Sequence, residues 1–554
     1  MRLSSPFLLL ALAALPIAIL STTWLYLYPP LHGCAFPTPS PSSPAPFRLL
    51  ALGDPQLEGD SSLPKASAPA FPALKYLTFD LQHAGTWKTR RRIVRDAIVK
   101  VTTRDLPRWL EGYRKRIDLW GNDYYLAHVV RQTRWWTQPT HVAVLGDLLG
   151  SQWISDVEFE KRAGRYWNTV FRGFEKVPEE IMTGVVHEEE TDDTQEAQQD
   201  KKWGGTTELL GAKTWTNRLI NIPGNHDIGY AGDFHEARAE RFERVFGSLN
   251  WDIVFELPRS PTNTTASPSL DRKTPSLRLV ILNDMNLDTP AYSFDLQTQT
   301  YTFLNHIIAT SKPVEDKTHT TVLLTHIPLH KEKGICTDAP FFSFFQSNGG
   351  VKEQNMLSPY SSKLILENVF GLSGNPDVEG GGLGRRGVVI NGHDHAGCDV
   401  LHYIAKEEAR KEDKQELDID VTKFGNETSS EDTESRDETP VWQAVRIPHN
   451  EGSPLPQNAT TPHLREITLR SMMGDYAGYA GFLSAWFDES LGEEGEWRIE
   501  FASCGMGIQH WWWAVHIMDF IVLVLFLIGG VAWGCKVSRR SAKAGKDRST
   551  DKKE

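Results

Sequence analysis

Two apolar stretches, one near each end of the 554-residue chain, limit its possible folds more than any other feature. Residues 6–28 carry no charged side chain over 23 positions, longer than the apolar core of a secretory signal. That is also enough for the roughly 20 residues that span a bilayer. They are read as an uncleaved anchor; a cleaved signal peptide is the alternative, and either sends the following chain across the membrane. Residues 511–535 form the second stretch. It opens on Trp511, Trp512 and Trp513, where an interfacial aromatic belt belongs, and is followed by Lys536, Arg539 and Arg540. Basic flanks mark the cytosolic side, so both termini are expected there and residues 30–510 in a lumenal or extracellular space. Asp519 lies inside the second stretch, where an ionisable group either serves function or pairs with a polar group of the first.

The formal charge is −12, which argues against a nucleic-acid backbone as partner. Five cysteines without a CxxC spacing are too few for a disulfide scaffold or a cysteine zinc site, so any metal chemistry must use His, Asp and Asn. Asn263, Asn426 and Asn458 head Asn-x-Thr sequons in polar stretches, as expected of glycosylated loops outside the cytosol. The expected organisation is an anchor at 1–29, a Pro/Ser-rich stalk at 30–46, a body at 47–510, a second span at 511–535 and a basic tail at 536–554. Acidic insertions near 187–202 and 406–439 lack apolar periodicity and read as surface loops.

Within the body, short apolar runs end in polar clusters: 47–53 before Asp54, 141–146 before Asp147, 219–223 before Asn225, 277–282 before Asn283, 321–325 before His326 and 388–392 before His393. They read as buried strands. Amphipathic stretches at 90–120, 165–176 and 233–246 separate them, giving an α/β plan with ligands projected from strand ends into one crevice. The run Arg90-Arg91-Arg92 is explained by surface charge at a helix start.

In order, the clusters are Gly53-Asp54-Pro55-Gln56, Gly146-Asp147, Gly224-Asn225-His226-Asp227, Thr325-His326 and Gly392-His393-Asp394-His395. This set resembles the calcineurin-like metallophosphoesterase superfamily, whose pattern runs D-x-H, G-D, G-N-H-D/E, H, G-H-x-H. The resemblance implies a four-layer α-β-β-α sandwich flanked by two transmembrane helices. It also implies two divalent cations: Asp54, Asp147 and His395 hold one, Asp147 bridges, and Asn225, His326 and His393 hold the other. His226 becomes the general acid, oriented by Asp227. Gln56 departs from the pattern by standing where the family has a His. A carboxamide oxygen suits Mn²⁺ better than Zn²⁺, so Mn²⁺ is the expected ion.

The phrases GNDYYL at 121–126, GNHDIGY at 224–230, LTHIPLH at 324–330 and GHDHAGCD at 392–399, with Met473 to Tyr476, resemble one branch. It comprises the fungal cell-division-control-type proteins and the GPI-glycan ethanolamine-phosphate phosphodiesterases of the endoplasmic reticulum. That implies hydrolytic removal of ethanolamine phosphate from a mannose of the GPI anchor. The substrate would be GPI-anchored proteins or the GPI glycolipid, with the cargo-export machinery as a further partner. The alternatives are another lumenal phosphoester or a non-catalytic cargo receptor. Retention in the endoplasmic reticulum rests on the resemblance, because the tail lacks a dilysine signal; a Golgi location stays open. Asn122, Asp123 and Tyr124 are candidate substrate-binding residues, Asp123 for an ammonium group, although a turn followed by a packed aromatic explains them as well. Cys336 with Cys398 and Cys34 with Cys504 are candidate disulfides, leaving Cys535 free, but pairing is not deducible from sequence.

Overall fold

A computed structural model describes residues 6–550, apart from 41–42, 60–62, 64–68, 185–202, 259–272, 405–441, 448–460 and 474–476. The three sequons and both acidic insertions lie outside these residues. The fold is mixed α/β with two principal sheets.

The first sheet runs in the order Glu496–Ile508, Ala477–Asp488, Phe47–Leu52, His141–Leu145, Arg218–Ile222, Glu175–Lys176. The second runs Trp442–Arg446, Cys398–Ile404, His463–Thr468, Gly387–Asn391, His319–Leu324, Ser276–Ile281, Trp251–Glu256, Gly204–Leu209. The strands that end in polar clusters are parallel neighbours within each sheet. They begin and end within two residues of the apolar runs in the sequence, because a continuous apolar run is what a strand covered on both faces requires. Side chains alternate accordingly. Phe47, Leu49 and Ala51 share one buried cluster with Ile253, Leu279, Val322 and Ile390 of the other sheet. Leu50, Leu52, Val142 and Val144 belong instead with Leu126, Val129 and Val130 of the helix Leu106–Thr137.

Four expectations are corrected. The amphipathic stretch at 90–120 is longer: Trp87–Lys100 continues through a π-helical turn, Val101–Asp105, into Leu106–Thr137. Asn122-Asp123 is therefore mid-helix and not a turn; Gly121 beside it lets the terminal helix approach, since a Cβ there would lie 1.8 Å from Trp513 Cζ2. The stretch at 165–176 divides into the end of Asp156–Arg165, a turn at Tyr166–Val170 and an edge strand at Glu175–Lys176. The stalk is no free spacer, because Cys34 is bonded to Cys504 and Phe36 packs edge-on against Phe482 at 5.2 Å. Cys336 is bonded to Cys398, and Cys535 is free and exposed.

Pro6–Tyr26 and Gln509–Arg540 are helical and long and apolar enough to cross a membrane. They lie side by side, with Leu8 against Gly529. Thr22 Oγ1 donates to Asp519 Oδ1 and Oδ2 at 3.0 and 2.8 Å, so Asp519 pairs with a polar group of the first helix. The strand Glu496–Ile508 runs directly into the second helix, which begins at Gln509.

Candidate metal centre

Every residue expected to hold metal sits just beyond the C-terminal end of a strand. Asp54, Asp147 and Asn225 come from the first sheet, and His326, His393 and His395 from the second. Asp54, Gln56, Asp147 and His393 adopt left-handed backbone conformations (φ 45°, 41°, 50° and 70°). That conformation is disfavoured for residues with a Cβ and persists where surrounding structure enforces it. The preceding glycine is required at one of these turns: at Gly146, with φ 87°, a Cβ would lie 2.1 Å from His326 Nδ1.

The histidine tautomers follow from backbone partners. His326 Nδ1 donates to the Leu145 carbonyl (2.7 Å), and His393 Nε2 donates to the Gln354 carbonyl (2.9 Å). Each ring therefore presents a lone pair from its other nitrogen. Both lone pairs lie 3.0 Å from Asn225 Oδ1, and His326 Nε2 is 3.4 Å from Asp147 Oδ1. Asp147, His326 and His393 each offer a ligand atom within 4.8 Å of the others. Three lone-pair atoms and a carboxylate that share no proton repel one another unless a cation lies among them.

On the other side of Asp147, Gln56 Nε2 lies 3.0 Å from Asp147 Oδ2 and 3.2 Å from His395 Nε2. Turning the amide by 180° presents Oε1 there instead. Asp54 is fully buried, and its Oδ2 has no partner among the described residues. Burial, then the charge of Asp147, pushes Asp54 well above the usual carboxylate range. Burial would also raise Asp147, but His326, His226 and His393 around it bring it below its ordinary value. Burial lowers His326 and takes His393 down to about 3, so both imidazoles are held neutral, as ligands must be. Orphaned carboxylate, neutral imidazoles and amide oxygens together fit divalent cations.

His226 lies beside this cluster, its amide donating to Asp147 Oδ1 (2.8 Å) and its Nε2 3.8 Å from Asp147 Oδ2. Its Nδ1 has no partner among the described residues. Asp227 does not orient it. The Asp227 carboxylate accepts from the amides of Leu148, Leu149 and Gly224 at 2.9–3.1 Å, clamping two ligand-bearing loops together. Burial and then Asp147 raise Asp227 to about 8.

The cluster opens through Gln56 and His395 into a cleft of about 620 Å³, lined also by Arg114, Lys115, Arg165 and the start of the terminal helix at Gln509, His510 and Trp513. Asn122 and Asp123 line this cleft, but both are engaged. Gln509 Nε2 donates to Asn122 Oδ1, and Arg165 forms a two-pronged ion pair with Asp123 at 2.7 Å, so the Asp123 carboxylate already has a cationic partner. Tyr124 faces solvent beside Trp120, with ring centroids 4.7 Å apart.

Two supports were not assigned from sequence. Asp284, pushed up to about 8 by burial, accepts from the amides of His326 and Ile327. Glu466 accepts from Lys331, His402, Asn391 and the Leu329 amide at 2.6–2.7 Å, bracing the strand end that precedes His393. The polar cluster after 277–282 was the available signal for Asp284; Glu466 had none, since its donors come from three separate segments, 329–331, 391 and 402.

No family model matches the chain. Protein TED1 of Saccharomyces cerevisiae is 28% identical over 444 residues, covering 74% of this chain and 77% of that protein. An uncharacterized protein of Schizosaccharomyces pombe is 28% identical over 309 residues, covering 52% of this chain and 58% of its own length. The similarity to Protein TED1 extends well beyond any single motif.

Proposed function

We propose that the chain is a metal-dependent phosphodiesterase with the calcineurin-like metallophosphoesterase fold, a four-layer α-β-β-α sandwich anchored by two spans. Its proposed reaction removes ethanolamine phosphate from a mannose of the GPI glycan. The observation that carries this reading is the meeting of Asp147, Asn225, His326 and His393 around one point, with Asp54, Gln56 and His395 alongside. Two divalent ions held there, Mn²⁺ first, would supply a reactive water and neutralise the phosphoryl oxygens.

The protein's own groups do the rest. Asp147, between the two ligand sets, holds both together, while the Leu145 and Gln354 carbonyls keep the imidazoles in ligand tautomers. His226, part-exposed at the rim, donates the proton to the departing sugar oxygen. Lys115 on the cleft wall offers a cation to a phosphodiester, beside the ion pairs Arg114–Asp118 and Arg165–Asp123. The cleft's position at the first turn of the terminal helix favours a substrate tethered to the same bilayer. The proposed setting is the membrane of the endoplasmic reticulum, with body lumenal and termini cytosolic.

The test is release of ethanolamine phosphate from purified GPI glycan intermediates by the detergent-solubilised full chain with Mn²⁺, beside Asp147→Ala. Release by wild type alone supports the reading. Cleavage of a generic phosphodiester without GPI turnover removes the substrate assignment, and absence of both bound metal and hydrolysis removes the enzyme.

A further inference from the structure

The helix Leu106–Thr137 meets both apolar helices. The rings of Trp120 and Trp513 are 6.0 Å apart, those of His128 and Tyr26 are 5.1 Å apart, and Trp136 Nε1 donates to the Tyr26 carbonyl at 2.9 Å. Tyr26 ends the first apolar helix, and Trp513 lies in the first turn of the other. Residues 121 to 136 cover about 22 Å of helix. A helix touching Trp513 at one end of that length and Tyr26 at the other runs across the tops of the pair.

The face that carries Trp120 and His128 continues toward the N-terminus at three- and four-residue spacing as Leu106, Leu110, Tyr113 and Ile117. Among the described residues none of these is covered; Leu110 is 54% exposed and Ile117 57%. The opposite flank bears Lys115, Asp118 and Asn122, which line the catalytic cleft. Val94 and Ile98, on the preceding helix, are exposed as well. Residues 87–116 carry eleven Lys/Arg against three Asp/Glu in a chain of net charge −12. An apolar stripe with basic flanks, continuous with the ends of two membrane-length helices, has the composition of a helix lying in a lipid interface.

We propose that residues 87–124 lie in the bilayer interface. The Leu110, Ile117 and Trp120 stripe sits among lipid chains, and the arginines and lysines engage headgroup phosphates. The helix then forms the threshold between bilayer and cleft.

The test places nitroxides on the full chain, in a Cys535→Ser background, through Leu110→Cys, Ile117→Cys or Glu111→Cys, the last an exposed position on the polar flank. The protein is reconstituted into vesicles of phosphatidylcholine and phosphatidylserine, and collision with oxygen is compared with collision with an aqueous nickel chelate. Oxygen is expected to exceed the chelate severalfold at 110 and 117, with the order reversed at 111. Chelate dominance at 110 and 117 would overturn the proposal. So would low collision with both probes, the mark of a covering protein such as a second copy. A ratio that does not fall in phosphatidylcholine alone would overturn the headgroup part. None of these readouts depends on hydrolytic activity.

Discussion

Glu466 shows what one buried charge does for the site. Burial alone would raise its pKa, but Lys331, His402 and their hydrogen bonds hold it at about 2. A carboxylate depressed in the folded state stabilises above its unfolded pKa, near 4.5, and loses that contribution as pH falls toward 2. The shift is worth about 3 kcal/mol. Thermal scans should therefore show wild-type stability falling between pH 4.5 and 2, with a flatter profile for Glu466→Gln, which starts from a lower Tm. His226 answers to a different readout. If it gives the proton in the proposed reaction, His226→Ala should lower kcat about 10²–10⁴-fold on a sugar leaving group. It should do much less to a nitrophenyl ester, whose leaving group needs no proton, with bound metal unchanged by elemental analysis. Equal losses on both substrates would assign His226 to the cluster's structure.

At the scale of elements, the contact between Leu106–Thr137 and the terminal helix decides the shape of the cleft. Gly121 is the only residue type that fits there, because a Cβ would overlap the Trp513 indole. Gly121→Ala should displace the indole, destabilise by about 1–3 kcal/mol and disturb the Gln509–Asn122 bond across the cleft. Thermal unfolding in detergent and intrinsic tryptophan fluorescence would report both; an unchanged Tm would show that the two helices are not packed as described. The sequence offered Asn-Asp as a turn signal at this point. The helix prevails because Leu126, Val129 and Val130, at three- and four-residue spacing just beyond this point, have a sheet to cover.

At the scale of the whole molecule, the two sheets meet at a buried cluster where Asp54 and Asp227 stay ionised only if cations offset their burial. Removing bound cations should therefore destabilise the entire body and not only stop turnover. Metal at one hundred times its Kd contributes about 2.7 kcal/mol. A chelator should lower Tm by a few degrees, with recovery on adding Mn²⁺. A Tm indifferent to chelation would count against the metal centre.

The sequence by itself determined the two membrane-length helices, the parallel strands and the polar residues that follow them, because each is written in contiguous residues: apolar length, apolar runs, and clusters such as Gly224-Asn225-His226-Asp227. The disulfide pairs Cys336–Cys398 and Cys34–Cys504 could be nominated from sequence but not deduced, and the structure forms both. Only the tertiary structure decided that Asp227 clamps loops and does not orient His226, that Arg165 neutralises Asp123, and that Glu466 braces the strand before His393. Each of those depends on which group is nearer in space. A buried carboxylate takes whichever donors the packing brings to it, and here those donors come from segments up to 137 residues away.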